Sequence, residues 1–421
     1  MTAALTLFLP CAAGVEDFLA DEVYGLTGLV GDNLTLLRGG VRVHADWRTA
    51  LRLNLMSRLA QRVLIEAGHG PYRDEQDLYG LAQGIAWEAW FDVRQTFRVD
   101  LTAQASPLHS LNFAALRVKD AVADRFRACA GGQRPSVDTR APQVRLHVHL
   151  TAGHATFYVD TSGEPLFKRG WRQDKGDAPL KETLAAALLA ACGWWQPAQR
   201  QVSAQPLYDP CCGSGTIVIE AAQLALGLAP GGQRRFGLEH LLPLRDSALA
   251  GQWRALQQEA AQPQAAPGAD VRIFGSDVAH RMVDFAQRNA QRAGVAAALQ
   301  LRGGDALQRL PPVPGPGVLL MNPPYGERID VAGVAGSARP GRQRFEGPDA
   351  DGGDAFFVRL AEHWKSHYAG WTAWLLTPDR GLPARLHLAA SRRVPLWNGP
   401  IECRLLRFDI TGRQRQERES Q

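Results

Sequence analysis

The sequence predicts an α/β protein: a Rossmann-like, mostly parallel sheet closed by an antiparallel hairpin, preceded by an α+β region. Three observations carry that expectation. In the second half, short apolar strands alternate with helices, and their ends deliver Asp209, Asp277, Asp305 and Asn322. A glycine turn, Gly213-Ser214-Gly215, follows the first of these acids and opens a helix. In the first half, strands with a period of two mix with amphipathic helices, and nothing there resembles a catalytic constellation.

A chain of 421 residues suggests two to three domains. Its 45% apolar and 21% charged content are ordinary for a globular protein. No apolar run is long enough to span a bilayer, and the N-terminus lacks a basic leader region, so a cytoplasmic location is expected. The cysteines at 11, 129, 192, 211, 212 and 403 form no CxxC pair and lack histidines at zinc spacing, which points to no metal and no disulfide framework. A net charge of +5 is a weak pointer to a polyanionic partner.

Along the first half, Thr6–Leu9 reads as a strand and Val15–Tyr24 as a helix with Val15, Phe18, Leu19 and Val23 inward. Val41–His44 reads as a strand and Trp47–Glu66 as one long helix, so residues 1–65 predict a ferredoxin-like unit. Over residues 66–165, Phe97–Leu101 is a strand and Ser110 starts a helix. Leu111, Ala115, Val118, Val122 and Phe126 line one face of that helix, with Arg117 and Lys119 outside. Val144–Leu150 and Thr156–Asp160 alternate as a hairpin, with His147 and His149 as surface histidines. Phe167-Lys168-Arg169-Gly170-Trp171-Arg172 interleaves aromatics and cations, which suits a single-strand or phosphate contact, or equally a linker.

The second half changes periodicity at Pro179, which opens a helix through Cys192. Asp209-Pro210-Cys211-Cys212-Gly213-Ser214-Gly215-Thr216 then leads into a helix over 217–228, the geometry of a nucleotide-type cofactor site. Val218 stands where a dinucleotide fingerprint needs its third glycine, and no Gly-Lys-Ser/Thr follows. This argues against NAD and ATP and for a ligand without pyrophosphate. Residues 229–270 read as an irregular insertion between sheet elements. Val271–Asp277 resumes the sheet, and a carboxylate there can accept both hydroxyls of a ribose. A helix over 279–293 stops at Gly294, and Leu299–Leu301 leads to Asp305. Gly317–Met321 is the strand before Asn322-Pro323-Pro324-Tyr325. The prolines donate no N–H and hold the chain extended, so the corner offers an amide oxygen, a carbonyl and an aromatic ring. That set suits a planar base with an exocyclic amine. A helix over 354–367, a strand over 371–376 and a hairpin over 394–410 complete the sheet, and residues 413–421 read as a disordered tail.

These motifs resemble class I S-adenosylmethionine-dependent methyltransferases acting on exocyclic amines. The first half resembles a ferredoxin-like domain followed by a THUMP RNA-binding domain. Phe167–Arg172, Pro179–Ala186 and Asn322–Arg328 are similar to the bacterial large-subunit ribosomal RNA guanine-N2 methyltransferases of the RlmL type. The resemblance implies a methyltransferase domain over 166–412, S-adenosyl-L-methionine as donor, no metal, and ribosomal RNA or a pre-ribosomal large-subunit particle as partner. It places the methionine part at Asp209 and Cys212–Thr216, the ribose at Asp277 and the adenine amine at Asp305, with Thr183 closing the pocket. Asn322 and Pro323 would hold the target amine, Pro324 would stiffen the corner and Tyr325 would stack on the base. Arg117, Lys119, Lys168, Arg169 and Arg172 are the expected RNA contacts; Arg339, Arg342 and Arg344, in a Gly-rich loop past the motif, are expected either to grip RNA phosphates or to lie in a disordered loop. The sequence departs in having Cys211 where this group often has methionine. It also ends at Gln421, where some relatives continue into a second methyltransferase domain, whose modification is then expected to be absent. Guanine N2 and adenine N6 both fit the corner; a transfer-RNA guanine methyltransferase and a non-catalytic assembly factor are the other rivals.

Overall fold

The first strand, β1 (Leu5–Pro10), buries Leu7 and Leu9 and turns Thr6 and Phe8 to the opposite face. The structure is a computed structural model that describes residues 4–176, 179–261, 272–323 and 351–412. They fall into two compact units.

In the first unit, α1 (Glu16–Thr27) packs Leu19, Val23 and Leu26 inward and ends at Gly28 with φ 73°. β2 (Leu34–Leu37) and β3 (Gly40–Ala45) follow. α2 (Trp47–Met56) is capped by Asp46, which accepts from the Thr49 amide at 2.8 Å. The long helix expected to reach Glu66 ends ten residues earlier. The buried Glu22 carboxylate accepts from the amides of Arg58 (2.7 Å) and Leu59 (3.2 Å) and from the Ser57 hydroxyl (2.6 Å), satisfying donors outside any helix. Glu66 lies instead in β4 (Leu64–Pro71), opposite Tyr158.

α3 (Glu75–Gly84) and β5 (Phe97–Ala103) precede α4 (Leu111–Cys129), whose cap Ser110 accepts from the Phe113 amide at 3.2 Å. α4 buries Ala114, Val118, Ala121, Val122 and Phe126; Leu111 is exposed and Ala115 half-buried, so the inward face is rotated from the expected one. β6 (Val144–Leu150) and β7 (His154–Asp160) form the expected hairpin. All these strands make one seven-stranded sheet in the order β2-β3-β1-β4-β7-β6-β5.

α5 (Glu182–Ala191), β8 (Trp195–Gln196), β9 (Gln201–Val202), β10 (Leu207–Asp209) and α6 (Thr216–Ala225) open the second unit. The next segment corrects the sequence reading. Residues 229–270 were expected as an irregular insertion in this second sheet, but the chain from Leu228 through α7 (Ser247–Ala260) clusters with the first unit. Asp246 caps α7, and Leu249, Trp253 and Leu256 are buried. Gly231 passes so close to α2 that a Cβ would lie 2.8 Å from the Leu55 carbonyl oxygen. Phe236 and Trp253 meet edge-to-face, ring centroids 5.3 Å apart.

β11 (Ile273–Asp277), α8 (His280–Arg292), β12 (Gln300–Gly303), β13 (Val318–Met321), α9 (Asp351–His367), β14 (Thr372–Thr377), α10 (Leu382–Arg385), β15 (Arg392–Asn398) and β16 (Ile401–Asp409) complete the second unit. Its sheet runs β12-β11-β10-β13-β14-β16-β15. β12 through β14 pair in parallel, and β16 and β15 close the edge antiparallel, as the sequence predicts. Tyr208, Phe274, Leu319 and Met321 pack with Leu360 and Trp364 of α9 in one apolar layer.

Candidate cofactor and amine site

Strand order reverses beside β10, whose neighbours are β11 on one side and β13 on the other. Such a switch point opens a crevice at the carboxyl ends of the strands. Asp209 and Asp277 end β10 and β11, Asp305 follows β12, and Asn322 directly follows β13.

The turn after β10 is built by glycine and held by carboxylates. Gly213 (φ 52°) and Gly215 (φ 90°) adopt the left-handed region, and a Cβ on Gly215 would lie 3.0 Å from that of Ala286. Asp277 Oδ2 accepts from the Gly213 amide at 2.9 Å and Oδ1 from the Ala279 amide at 2.9 Å. Asp209 Oδ1 accepts from the Cys211 amide at 3.0 Å. Cys212 and Ser214 lie buried in the turn, and Thr216 starts α6. Thr183 sits buried in the first turn of α5. Asp305 Oδ1 accepts from the Leu307 amide at 2.9 Å and so also caps a local turn.

Burial pushes the Asp209 carboxyl up to about 8, and the charge of Asp277 pushes the same way. Burial likewise raises Asp277, against the two amides that stabilise its ionised form. The carboxyl ends of β10 and β11 therefore hold carboxyls that a cationic ligand group would draw into their charged state.

Asn322 Oδ1 is buried and has no hydrogen-bond partner among the described residues. An unsatisfied buried acceptor costs about 1–3 kcal/mol, which a donor arriving with a ligand would offset. Pro323 is buried beside it. Pro324, Tyr325, Arg339, Arg342 and Arg344 lie outside the described residues.

Two of the expected RNA contacts face inward. Arg169 is 1% exposed, and its guanidinium donates to the carbonyls of Leu166 (2.9 Å) and Arg58 (2.8 Å). Arg172 donates to Thr216 Oγ1 at 2.6 Å and the Leu180 carbonyl at 2.9 Å, and pairs with Glu182 at 2.9 Å. These arginines fasten their own unit, and neither offers its fork to a phosphate. Lys168 is exposed and paired with Glu164. Arg117 lies 4.6 Å from the Tyr79 ring centroid, and Lys119 pairs with Asp120 at 2.6 Å. One residue escaped sequence reasoning: Asn289, fully buried on α8, donates to the Ser214 carbonyl. Its signal was a polar side chain at the helical spacing of Val283 and Ala286. Among the described residues there is no metal-ligating cluster and no helix long and apolar enough to cross a membrane.

Known proteins resemble this chain in domain make-up and fold. The profile described as "RlmL ferredoxin-like domain" matches residues 6–64, that of the "THUMP domain" residues 72–160, and that of the "RMKL-like, methyltransferase domain" residues 169–336. A curated relative, the ribosomal RNA large subunit methyltransferase K/L of Psychromonas ingrahamii, is 34% identical over 419 residues, 97% of this chain and 50% of that protein. The chain spans about half the length of the curated relatives it matches. A methyltransferase solved in complex with SAH superposes with TM-score 0.79 at 27% identity, covering 98% of this chain and 99% of that one. A Listeria monocytogenes protein named as an N6-adenine-specific DNA methylase superposes with TM-score 0.79 at 26% identity, covering 97% of each chain.

Proposed function

This chain carries a THUMP domain and an RlmL-type methyltransferase domain, and from that premise we propose that it is an S-adenosylmethionine-dependent methyltransferase of large-subunit ribosomal RNA. The finer proposal is transfer to the exocyclic N2 amine of a guanine, in the cytoplasm and by a monomer. Residues 1–65 and 66–165 would form the RNA-binding front, with Arg117, Lys119 and Lys168 as its outward cations, and residues 166–412 the catalytic domain.

The observation that carries this reading is the buried Asn322 Oδ1 at the end of β13, without a hydrogen-bond partner among the described residues and beside the strand that ends in Asp209. S-adenosylmethionine would supply an electrophilic methyl group on a sulfonium. Asp209 and the Cys212–Thr216 turn would hold its amino-acid part, Asp277 the ribose hydroxyls and Asp305 the adenine amine, with Thr183 closing the pocket. These acceptors fit: two hydrogen-bonded carboxylates at strand ends suit hydroxyls and an amine, and no phosphate-binding lysine is present in the turn.

An exocyclic base amine is a poor nucleophile because its lone pair is delocalised into the ring. The Asn322 amide oxygen and the Pro323 carbonyl would accept its two N–H groups and favour a pyramidal nitrogen. Positioning then provides most of the acceleration. Tyr325 would stack on the base, which a duplexed target must first flip out.

Two acceptors at one corner serve adenine N6 equally well, and one structural relative carries that name. Nucleoside mass spectrometry of RNA and DNA from a deletion strain separates the readings: loss of N2-methylguanine from large-subunit RNA supports guanine, and loss of N6-methyladenine refutes it.

A further inference from the structure

The crossover from β12 to β13, residues 304–317, contains no helix. That loop lies over one face of the sheet at β11 and β12, where Tyr208 and Phe274 also join the apolar layer that includes α9. Register places Tyr208, Phe274 and Gln300 abreast on that face, with Arg302 two residues beyond Gln300. Between them and the loop lies a cavity of about 410 Å³, walled by Gln308, Arg309 and the Leu310–Pro312 stretch. β12 is the outer strand of its sheet, so the cavity opens at an edge.

The lining is chemically one-sided. It has two guanidinium groups, two carboxamides and two aromatic rings, and no Asp or Glu. The two rings are nearly fully buried, whereas Arg302 is exposed. Leu310, at the rim, is 60% exposed although apolar. None of Asp209, Asp277, Asp305 and Asn322 lines the cavity, but it adjoins their site, since the Asp305 carbonyl accepts from the Gln308 and Arg309 amides at 3.0 Å each. Three strand-to-strand steps separate β12 from β13, roughly 14 Å at the usual spacing.

We propose that this cavity is an RNA subsite, in which Arg302 and Arg309 hold a phosphate of the substrate strand near the target base and the carboxamides meet the adjoining nucleotide. The planar forks match phosphate geometry, and a position a few strands from Asn322 lets one continuous RNA segment engage both places. The proposal rests on the RNA methyltransferase reading and adds where that RNA is gripped.

Anisotropy binding of transcribed large-subunit RNA over a salt series tests it. Arg302→Glu is expected to weaken binding roughly tenfold and to lower the slope of log affinity against log salt by about one, while Arg302→Lys keeps the slope. The same reversal at exposed Arg254 on α7 controls for net charge and is expected to leave the slope unchanged. Equal effects of Arg302→Glu and Arg254→Glu, or no effect of Arg302→Glu, overturn the proposal. Saturable binding of GMP that Arg302→Glu abolishes while RNA binding persists assigns the cavity to a free nucleotide and also overturns it. A wild-type protein that gives no heat with S-adenosylmethionine refutes the methyltransferase reading instead, and leaves the RNA titration readable.

Discussion

Asn289 Nδ2 donates to the carbonyl oxygen of Ser214 at 3.1 Å, tying α8 to the middle of the glycine turn. The same amide donates to the Asp174 carbonyl at 2.8 Å, and its Oδ1 accepts from the Asp174 amide at 3.3 Å. One buried side chain thus joins the turn to the segment that opens the second unit. Asn289→Leu leaves buried carbonyls and amides unpaired, at about 1–3 kcal/mol. Denaturant unfolding should show that loss, and calorimetry should show weaker S-adenosylmethionine binding. Unchanged affinity would mean that the turn holds its shape without Asn289.

Arg172 and Lys168 predict opposite outcomes. Arg172→Met leaves the buried Glu182 without this partner and should destabilise by about 3–5 kcal/mol in denaturant melts. Lys168→Ala touches an exposed ion pair and should change stability by less than about 0.5 kcal/mol. RNA binding should move the other way: Lys168→Ala lowers its salt dependence, whereas folded protein recovered from the Arg172 variant keeps it.

That contrast also marks how far the sequence could be read. Strand-end acids and the hairpins were legible because period-two strands and glycine turns are local patterns. The direction in which Arg169 and Arg172 point was not, since a run of cations and aromatics looks the same whether it faces phosphate or carbonyl. The long helix ended at Met56 because Glu22, distant in sequence, captures the Arg58 and Leu59 amides. Residues 229–270 read as an insertion in the second sheet for a related reason: Pro- and Gln-rich flanks masked an amphipathic helix whose partner, α2, lies far back in the chain.

Asp209 predicts a pH dependence. Its folded pKa of about 8 stands above the ordinary value of 3.8, so folding favours the protonated carboxyl. That contribution is full below about pH 4 and is lost as pH rises through about 8. Ligand-free protein should lose stability across that window, and Asp209→Asn should flatten the curve. A cationic amine bound beside Asp209 lowers its pKa, so S-adenosylmethionine binding near pH 7 should release protons. Calorimetry in buffers of different ionisation enthalpy checks this: heats independent of buffer contradict it.

Asn322 carries the central claim, and Asn322→Ala tests it most directly when cofactor affinity and turnover are measured on the same preparation. The account predicts S-adenosylmethionine affinity within about twofold of wild type by calorimetry and a loss of methyl transfer to large-subunit RNA of at least roughly a hundredfold, about 2.7 kcal/mol of barrier. Retained turnover, or a loss of cofactor affinity as large as the loss of turnover, would contradict it.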